Sequence, residues 1–370
     1  MSWIVDEIGA RGGAVPFEAF MELALYHPEH GYYSAEAPRY GRGGDYLTAP
    51  TASEWYPRMI ARSLAGMHAV CGPLRLIDLA SGDGSLITGV VDALGQGVGE
   101  ILGEVVSAER SEAMRERQRD RRGPFKVPVR RIGSVTEVVS SARPTIVHAS
   151  ELYDAQPVAR VVRRSGGLRE LWVTLRDREL DWLERPPRSE VDAYFRRHGV
   201  ELEDGQIAEA NLAAEELHAG LLETLGEDSL CLVLDYGYEA RRLYDPRGRR
   251  GGSLTTFRRH QLGHDPFAAP GETDLTAHVN WDDLRNAAGT AGWTEVGLWP
   301  LAEFLVRAGI GDELAERGLG MEADLDAATI TARQEIKRLL DPEGMGSDLK
   351  MLVQAKGRLV EAAESVFALE

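Results

Sequence analysis

The chain has two cysteines, four lysines and no run of eighteen apolar residues, and each scarcity excludes something. Cys71 and Cys231 lie far apart, with no Cys-x-x-Cys partner and no nearby His pair. That spacing argues against a zinc site or a structural disulfide and leaves two small buried hydrophobes. Without a long apolar run, no membrane-spanning helix is expected. Lys126, Lys337, Lys350 and Lys356 are the only lysines, so nearly all positive charge is arginine, a bias we assign to genome composition. Acids outnumber bases 59 to 42, a formal net charge of −17. Such a balance argues against general affinity for nucleic-acid phosphates and fits a small-molecule or basic-protein partner better. The opening MSWIVDEIGARGG lacks both a basic segment followed by an apolar one and an Arg-rich, acid-poor character. It reads as neither a secretory signal nor a transit peptide, and a cytoplasmic protein of a bacterial type is expected.

What is present is ordinary globular material: 370 residues, 43% hydrophobic and 27% charged, enough for a sizeable core. FEAFMELALYH (17–27) has apolar residues at helical spacing and ends before Pro28 and Gly31. HGYYSAEAPRYGRGGDYLTAP reads as an ordered loop long enough to carry function, and EWYPRMIARSLAGMHAV returns to helix. From residue 74 the pattern alternates. LRLIDLAS, EILGEVVSAER, PTIVHASEL and SLCLVLDYGY read as buried strands. LITGVVDALG, SEAMRERQRDR and IAEANLAAEELHAGLLETLG read as helices. Alternation of this kind predicts a parallel sheet covered on both faces. ARVVRRSGGLRELWVTLRDRELDWLERPP instead alternates apolar and polar residues around an SGG turn, which predicts antiparallel hairpins. GWTEVGLWPLAEFLVRAGI supplies a late strand and a helix, and the tail from about 320 reads mostly as helix, broken at DPEGMG. The expected layout is a helical and Gly-rich N-terminal region (1–60), an α/β core in two parts (61–160 and 205–310), an inserted hairpin subdomain (161–204) and a helical C-terminal region (311–370).

The segment LRLIDLASGDGSLITGV (74–90) puts a Gly-x-Gly turn at a strand's carboxyl end, where open parallel sheets bind ligands. Gly82 and Gly84 have no Cβ, so backbone can approach a ligand and take positive φ. A P-loop requires a Gly-Lys-Ser/Thr ending, which is absent. The dinucleotide fingerprint asks for a small residue three positions after the second glycine; Ile87 stands there. An S-adenosylmethionine site wants an acid in the first strand, a glycine turn and an acid at the end of the second strand. Asp78 and Glu109 supply the acids, and Glu109 can accept from both ribose hydroxyls. Ser134, in RIGSVTE, stands where such folds often meet adenine. Ala80 and Asp83 in the turn and Arg110 beside Glu109 complete this candidate set. The residues alone favour S-adenosylmethionine over NAD, and over a ligand-free turn, only modestly.

Further stretches carry more. FMELALYHPEHGYYS, GRGGDYLTAP, SELYDAQPV, DYGY with GSLTTFRRHQLGHDPFAAPGETDLTAHVNW, and GMGSDLKMLVQAKG follow one another in this order. With IDLASGDG they resemble the MidA-like methyltransferases, a family that includes a mitochondrial complex I assembly arginine methyltransferase. The resemblance spans about residues 8 to 358. It implies a class I (Rossmann-like) α/β fold with helices on both faces of the sheet, and S-adenosyl-L-methionine as cofactor. It also implies that Gly43, Gly44, Asp45 and Thr48 form a loop over that cofactor. The chain departs from the family pattern in three places. Asp83 replaces a basic residue of the turn, whose role Arg42 or Arg58 would have to fill. Thr51 replaces the acid that ends the loop motif. Ser150-Glu151-Leu152-Tyr153-Asp154-Ala155-Gln156-Pro157 stands for Asn-Glu-x-x-Asp-Ala-Leu-Pro. These changes bear on the acceptor more than on the cofactor.

Methyl transfer from a sulfonium is an in-line attack, so the protein mainly positions the acceptor and removes its proton. Glu151 and Asp154, just past the strand TIVHAS, are the candidate catalytic residues: two carboxylates can grip a guanidinium or serve as base for a hydroxyl. Set against this, Asp154 could cap a following helix and Glu151 could pair with an arginine. Tyr236, Tyr238, Tyr32 and Tyr33 read equally as acceptor-pocket walls and as packing. His260, His264, Asp274 and His278 match no metal-ligand spacing, so no metal is expected. The expected function is methyl transfer to a protein arginine or to a small-molecule O or N acceptor. The alternatives are a natural-product or metabolite O-methyltransferase and a non-catalytic assembly protein that keeps the fold; an NAD-linked oxidoreductase is a third. Neither nucleic acid nor membrane is an expected partner, and the exposed loops leave room for a homodimer.

Overall fold

The computed structural model describes residues 2–34, 48–120, 127–258, 261–319 and 326–369. Gly43, Gly44, Asp45, Arg42 and His260 lie outside the described residues. The chain divides into two compact units. One comprises Leu47–Leu152, Gly220–Tyr236 and Ala288–Glu370; the other Met1–Tyr46, Tyr153–Ala219 and Gly237–Ala287.

Among the described residues the first unit is built on the strands β1 (Leu74–Leu79), β2 (Leu102–Ala108), β3 (Val129–Ile132), β4 (Thr145–Ser150), β5 (Ser229–Tyr238, whose last two residues fall in the second unit), β6 (Thr294–Pro300) and β7 (Leu349–Lys356). Their order is β3-β2-β1-β4-β5-β7-β6. β1 to β5 pair in parallel, and β7 runs antiparallel to both β5 and β6. Every residue of β1 and nearly every one of β4 is buried, so both faces of the sheet are covered. The helices α1 (Trp55–Cys71), α2 (Ser85–Leu94) and α3 (Glu112–Asp120) follow the loops that matter for the site. The core joins Met59, Ile60 and Leu64 of α1 and Ile87 and Val90 of α2 to Leu76, Ile146, Leu232 and Met351 of the strands. This is the α/β sheet with flanking helices that the alternation predicts.

Two readings need correction. LKMLVQAK (349–356), expected as helix in the tail, is strand β7, buried at six of eight positions. Ile207–Ala210, expected to open a helix, is a short strand, and the helix starts at Leu212. In both cases pairing with a remote strand overrides local periodicity.

The second unit carries a five-stranded antiparallel sheet. Ala159–Arg164, Gly167–Arg176 and Glu179–Arg185 form the hairpins expected from the SGG turn; Ala14–Pro16 and Ile207–Ala210 complete the sheet. A three-stranded sheet of Thr255–Arg258, Gln261–Gly263 and Asp274–Thr276 accompanies it. Among the described residues no helix is long and apolar enough to cross a membrane.

Candidate active site

The strand order reverses between β1 and β4: one is followed in sequence by β2 on its far side, the other by β5. Ligands of open α/β sheets bind beyond the carboxyl ends at such a point. Asp78 and the Gly82–Gly84 turn, Glu109 and Glu151 lie in or just past the strands β1, β2 and β4 at their carboxyl ends.

The turn after β1 is made by residues in the left-handed region. Ala80 has φ +50, Gly82 +52 and Gly84 +80. A glycine is indifferent to this, whereas an alanine is strained by on the order of 1 kcal/mol or more. The turn is cross-linked. Glu109, just past β2, accepts from the backbone N–H of Gly82 at 2.8 Å with one carboxylate oxygen and from that of Ser111 at 2.8 Å with the other. The Ser81 and Ser107 hydroxyls meet at 2.6 Å, and Ser107 donates to Gln118 Oε1 at 2.7 Å. Gln118 Nε2 in turn donates to Ser81 Oγ at 2.9 Å and to the Gly82 carbonyl at 2.7 Å. A Cβ on Gly84 would sit 3.3 Å from Gln118 Cγ. Gln118, on α3, thus braces the same turn that Glu109 holds.

Asp83 turns its carboxylate to the start of α2, accepting from the Ser85 N–H at 3.1 Å and hydroxyl at 2.6 Å. The exposed Arg110 offers its carbonyl to Arg115, which also bonds the Glu109 carbonyl. Ser134 accepts from the Thr136 N–H at 3.2 Å and opens a short 3-10 turn. Thr48 caps the helix Ala49–Ala52, and Thr51 reaches back to the Thr48 N–H at 3.1 Å. Thr51 therefore closes the capping box that an acid would close in its place. Arg58, one substitute for the lost basic residue, is held by Glu54 at 2.7 Å.

Asp78 lies on β1, 2% exposed, directly opposite His148 in the β1–β4 register. Its Oδ1 meets His148 Nδ1 at 2.9 Å, and His148 Nε2 meets the Tyr56 hydroxyl at 2.7 Å. Among the described residues, Asp78 Oδ2 is buried without a hydrogen-bond partner. Burial pushes the Asp78 carboxyl above its ordinary range, opposed by the His148 hydrogen bond. The Tyr56 phenol is raised well above its ordinary value, chiefly by burial and then by the charges of Asp78 and Glu151. Burial also raises Glu109 to about 7, against the Ser111 and Gly82 hydrogen bonds and the Arg115 charge. Glu151, one residue past β4, has φ +51 and donates its N–H to the Leu234 carbonyl at 2.8 Å. Among the described residues of this unit, Ala80 and Glu151 are the non-glycine residues with positive φ, and each follows one of the strands that flank the reversal. Backbone strain of this kind is retained where side-chain placement matters.

Asp154 belongs to the second unit, where it is buried and its carbonyl accepts from the Ala277 N–H at 2.9 Å. No helix follows it: the chain runs into the strand Ala159–Arg164, so the cap reading fails. Also in the second unit, Tyr33 donates to Asp274 at 2.9 Å, Arg249 meets His278 at 2.8 Å, and Tyr32 is fully buried. Tyr238 lies under the Arg242 and Arg249 guanidinium groups. Sequence reasoning missed Tyr56, His148, Ser81, Ser107 and Gln118. The available signals were a histidine inside the apolar strand TIVHAS and one uncharged polar residue in a helix whose other polar residues are Arg, Glu and Asp.

The residues fit an S-adenosylmethionine-type ligand. The buried, unpartnered Asp78 oxygen calls for a donor, and Glu109 is pre-oriented by two backbone amides beside a turn whose glycines allow close approach. Comparison with known proteins agrees. A family model described as "Putative S-adenosyl-L-methionine-dependent methyltransferase" matches residues 59–299. The chain is 25% identical to a mitochondrial protein arginine methyltransferase NDUFAF7 homolog of Drosophila melanogaster, across 94% of this chain and 83% of that one. It is 26% identical to human mitochondrial protein arginine methyltransferase NDUFAF7, across 90% and 78%. A crystal structure from Burkholderia thailandensis, described as a "likely methyl transferase" and bound to S-adenosyl-homocysteine, superposes with a TM-score of 0.85 at 29% identity, covering 96% of this chain and 91% of that one. The curated relatives are mitochondrial, which overturns the cytoplasmic location expected from the N-terminal segment. A fold shared across compartments carries no address in its core, and the composition of thirteen residues does not supply one.

Proposed function

The chain belongs to the family of S-adenosyl-L-methionine-dependent methyltransferases whose model spans residues 59–299, and from that premise we propose that its acceptor is an arginine side chain of a partner protein, gripped by Glu151. The observation that carries this is the strained placement of Glu151 past β4, where its charge reaches Tyr56 together with that of Asp78. The arginine methyltransferases among its relatives support the same acceptor.

When bound, S-adenosyl-L-methionine supplies a methyl group already activated on a positively charged sulfur. The chain's own residues do the rest. Glu109 accepts from the two ribose hydroxyls while Gly82 and Ser111 hold its carboxylate still. Ala80, Gly82, Asp83 and Gly84 shape the turn; Arg110, Ser134, Thr48 and the segment with Gly43, Gly44 and Asp45 complete the cofactor set we propose. Glu151 takes the guanidinium through two charge-assisted hydrogen bonds and turns the remaining nitrogen toward the methyl group. Its carboxylate then accepts the proton that the methylated nitrogen sheds. Asp154 is kept as the second candidate carboxylate, to be tested by its own variant.

The test is transfer of labelled methyl groups from S-adenosyl-L-methionine into a lysate. Label recovered as methylarginine in a protein band, and absent with Glu151→Gln, is the expected result. Label confined to the small-molecule fraction would refute the arginine acceptor, and Asp154→Asn run alongside tests the second carboxylate.

A further inference from the structure

We propose that Tyr56 and His148 are positioning residues that lock the Asp78 carboxylate to receive the ammonium group of the methyl donor's amino-acid portion. This inference rests on the methyltransferase reading and assigns work to two side chains which that reading leaves idle.

Three fully or almost fully buried polar groups form a line: the Tyr56 hydroxyl, 2.7 Å to His148 Nε2, and His148 Nδ1, 2.9 Å to Asp78 Oδ1. One neutral tautomer satisfies both contacts. With the proton on Nδ1, His148 donates to the carboxylate and leaves Nε2 to accept from Tyr56. Tyr56 keeps its proton, because burial and the Asp78 and Glu151 charges oppose its loss. In that tautomer the line runs from the Tyr56 hydroxyl through His148 to the Asp78 carboxylate. The backbone enforces it as well, since Asp78 and His148 are register partners on the two strands that flank the reversal of strand order.

The line ends on a carboxylate whose other oxygen, Oδ2, accepts from no described residue. A device that served only to pair buried groups would satisfy both carboxylate oxygens, since a buried acceptor left unpaired costs roughly 1–3 kcal/mol. Here one oxygen is held by His148 and Oδ2 is left bare. The missing partner is a donor, and the surroundings select a cationic one. Asp78 raises the Glu109 carboxyl, and Asp78 and Glu151 both raise Tyr56, so three carboxylates share one field; Arg115 is the cation that opposes it at Glu109. The donor's ammonium meets this demand, whereas its adenosine portion has no such charge to offer.

The test is calorimetric titration with two ligands that differ in the amino-acid portion: S-adenosyl-homocysteine, which has it, and 5′-methylthioadenosine, which does not. Asp78→Asn and His148→Gln should lose about tenfold or more in affinity for S-adenosyl-homocysteine, and Tyr56→Phe a few-fold, with methylthioadenosine affinity held within about twofold. Tyr56→Phe removes one hydroxyl from the line and keeps the test available should His148→Gln fail to fold. Equal loss for both ligands would mean a merely structural role and overturn the proposal, as would unchanged S-adenosyl-homocysteine affinity in His148→Gln. A wild-type protein that binds neither ligand would instead overturn the methyltransferase reading on which the proposal stands.

Discussion

Two buried aspartates, one in each unit, are built to opposite ends. Asp283 of the second unit is fully buried, and both its oxygens are taken. His198 Nε2 lies 2.6 Å and Arg197 3.2 Å from Oδ1, and the Tyr194 hydroxyl donates to Oδ2 at 2.6 Å. Tyr194 is tied further to Tyr244 at 2.9 Å and to Asn280 at 2.9 Å. Asp78 of the first unit is as deeply buried and has one oxygen held and one bare. A closed network serves the scaffold alone; a network with an open end is set up for something that arrives later. The difference teaches where to look for function in a chain with 59 acids: buried charge marks both aspartates, and the unfilled valence marks only one.

The comparison can be broken by stability measurements. Asp283→Ala strands His198, Arg197 and Tyr194 together, and we expect a loss of about 3–5 kcal/mol in urea unfolding. Asp78→Asn should cost clearly less, because it removes a charge that was already half unpaired. Equal losses would erase the distinction. The next largest effect belongs to Glu109. Glu109→Ala should weaken S-adenosyl-homocysteine binding by roughly tenfold or more, since it removes a charged acceptor and loosens the Gly82 and Ser111 amides.

The pH dependence then sharpens the picture. Glu109 has a folded-state value of about 7, raised above its ordinary 4.5 by burial. Between those values the folded state binds more protons than the unfolded one. Its contribution to stability is therefore largest at or below pH 4.5 and is lost as the pH rises toward 7. Ligand binding runs the other way: ribose donors favour the ionised carboxylate, so affinity should rise as the pH passes upward through about 7 and level off above it. Titrations across that range check both signs, and Glu109→Gln should flatten the binding profile. The smallest effect is at the strained turn. Ala80→Gly relieves the φ of +50 while loosening the unfolded chain, so stability should change by less than about 1 kcal/mol.

Much of the first unit was legible in the sequence because its strands are continuous apolar runs that end at turn residues. LRLIDL, TIVHAS and SLCLVLDYGY are strands as read, and Glu109 meets the Gly82 amide in the turn that follows the strand of Asp78. Strand β7 was missed because its partners, β5 and β6, lie far off in the chain, and no local period reveals that pairing. His148 was passed over because a lone histidine in an apolar strand has no significance until the fold sets it between Asp78 and Tyr56. The Asp283 network was invisible for the same reason, since Tyr194, Tyr244 and Asn280 meet only after folding. Sequence reading recovers what strand and turn chemistry dictate locally; it does not recover which oxygen is left bare.

The most direct measurement is a crystal structure of the chain with S-adenosyl-homocysteine. The account predicts the ribose hydroxyls on Glu109 and the ligand's ammonium on Asp78 Oδ2, with His148 and Tyr56 unmoved behind it. A ligand bound elsewhere, or an ammonium turned away from an Asp78 oxygen that stays bare, would contradict it.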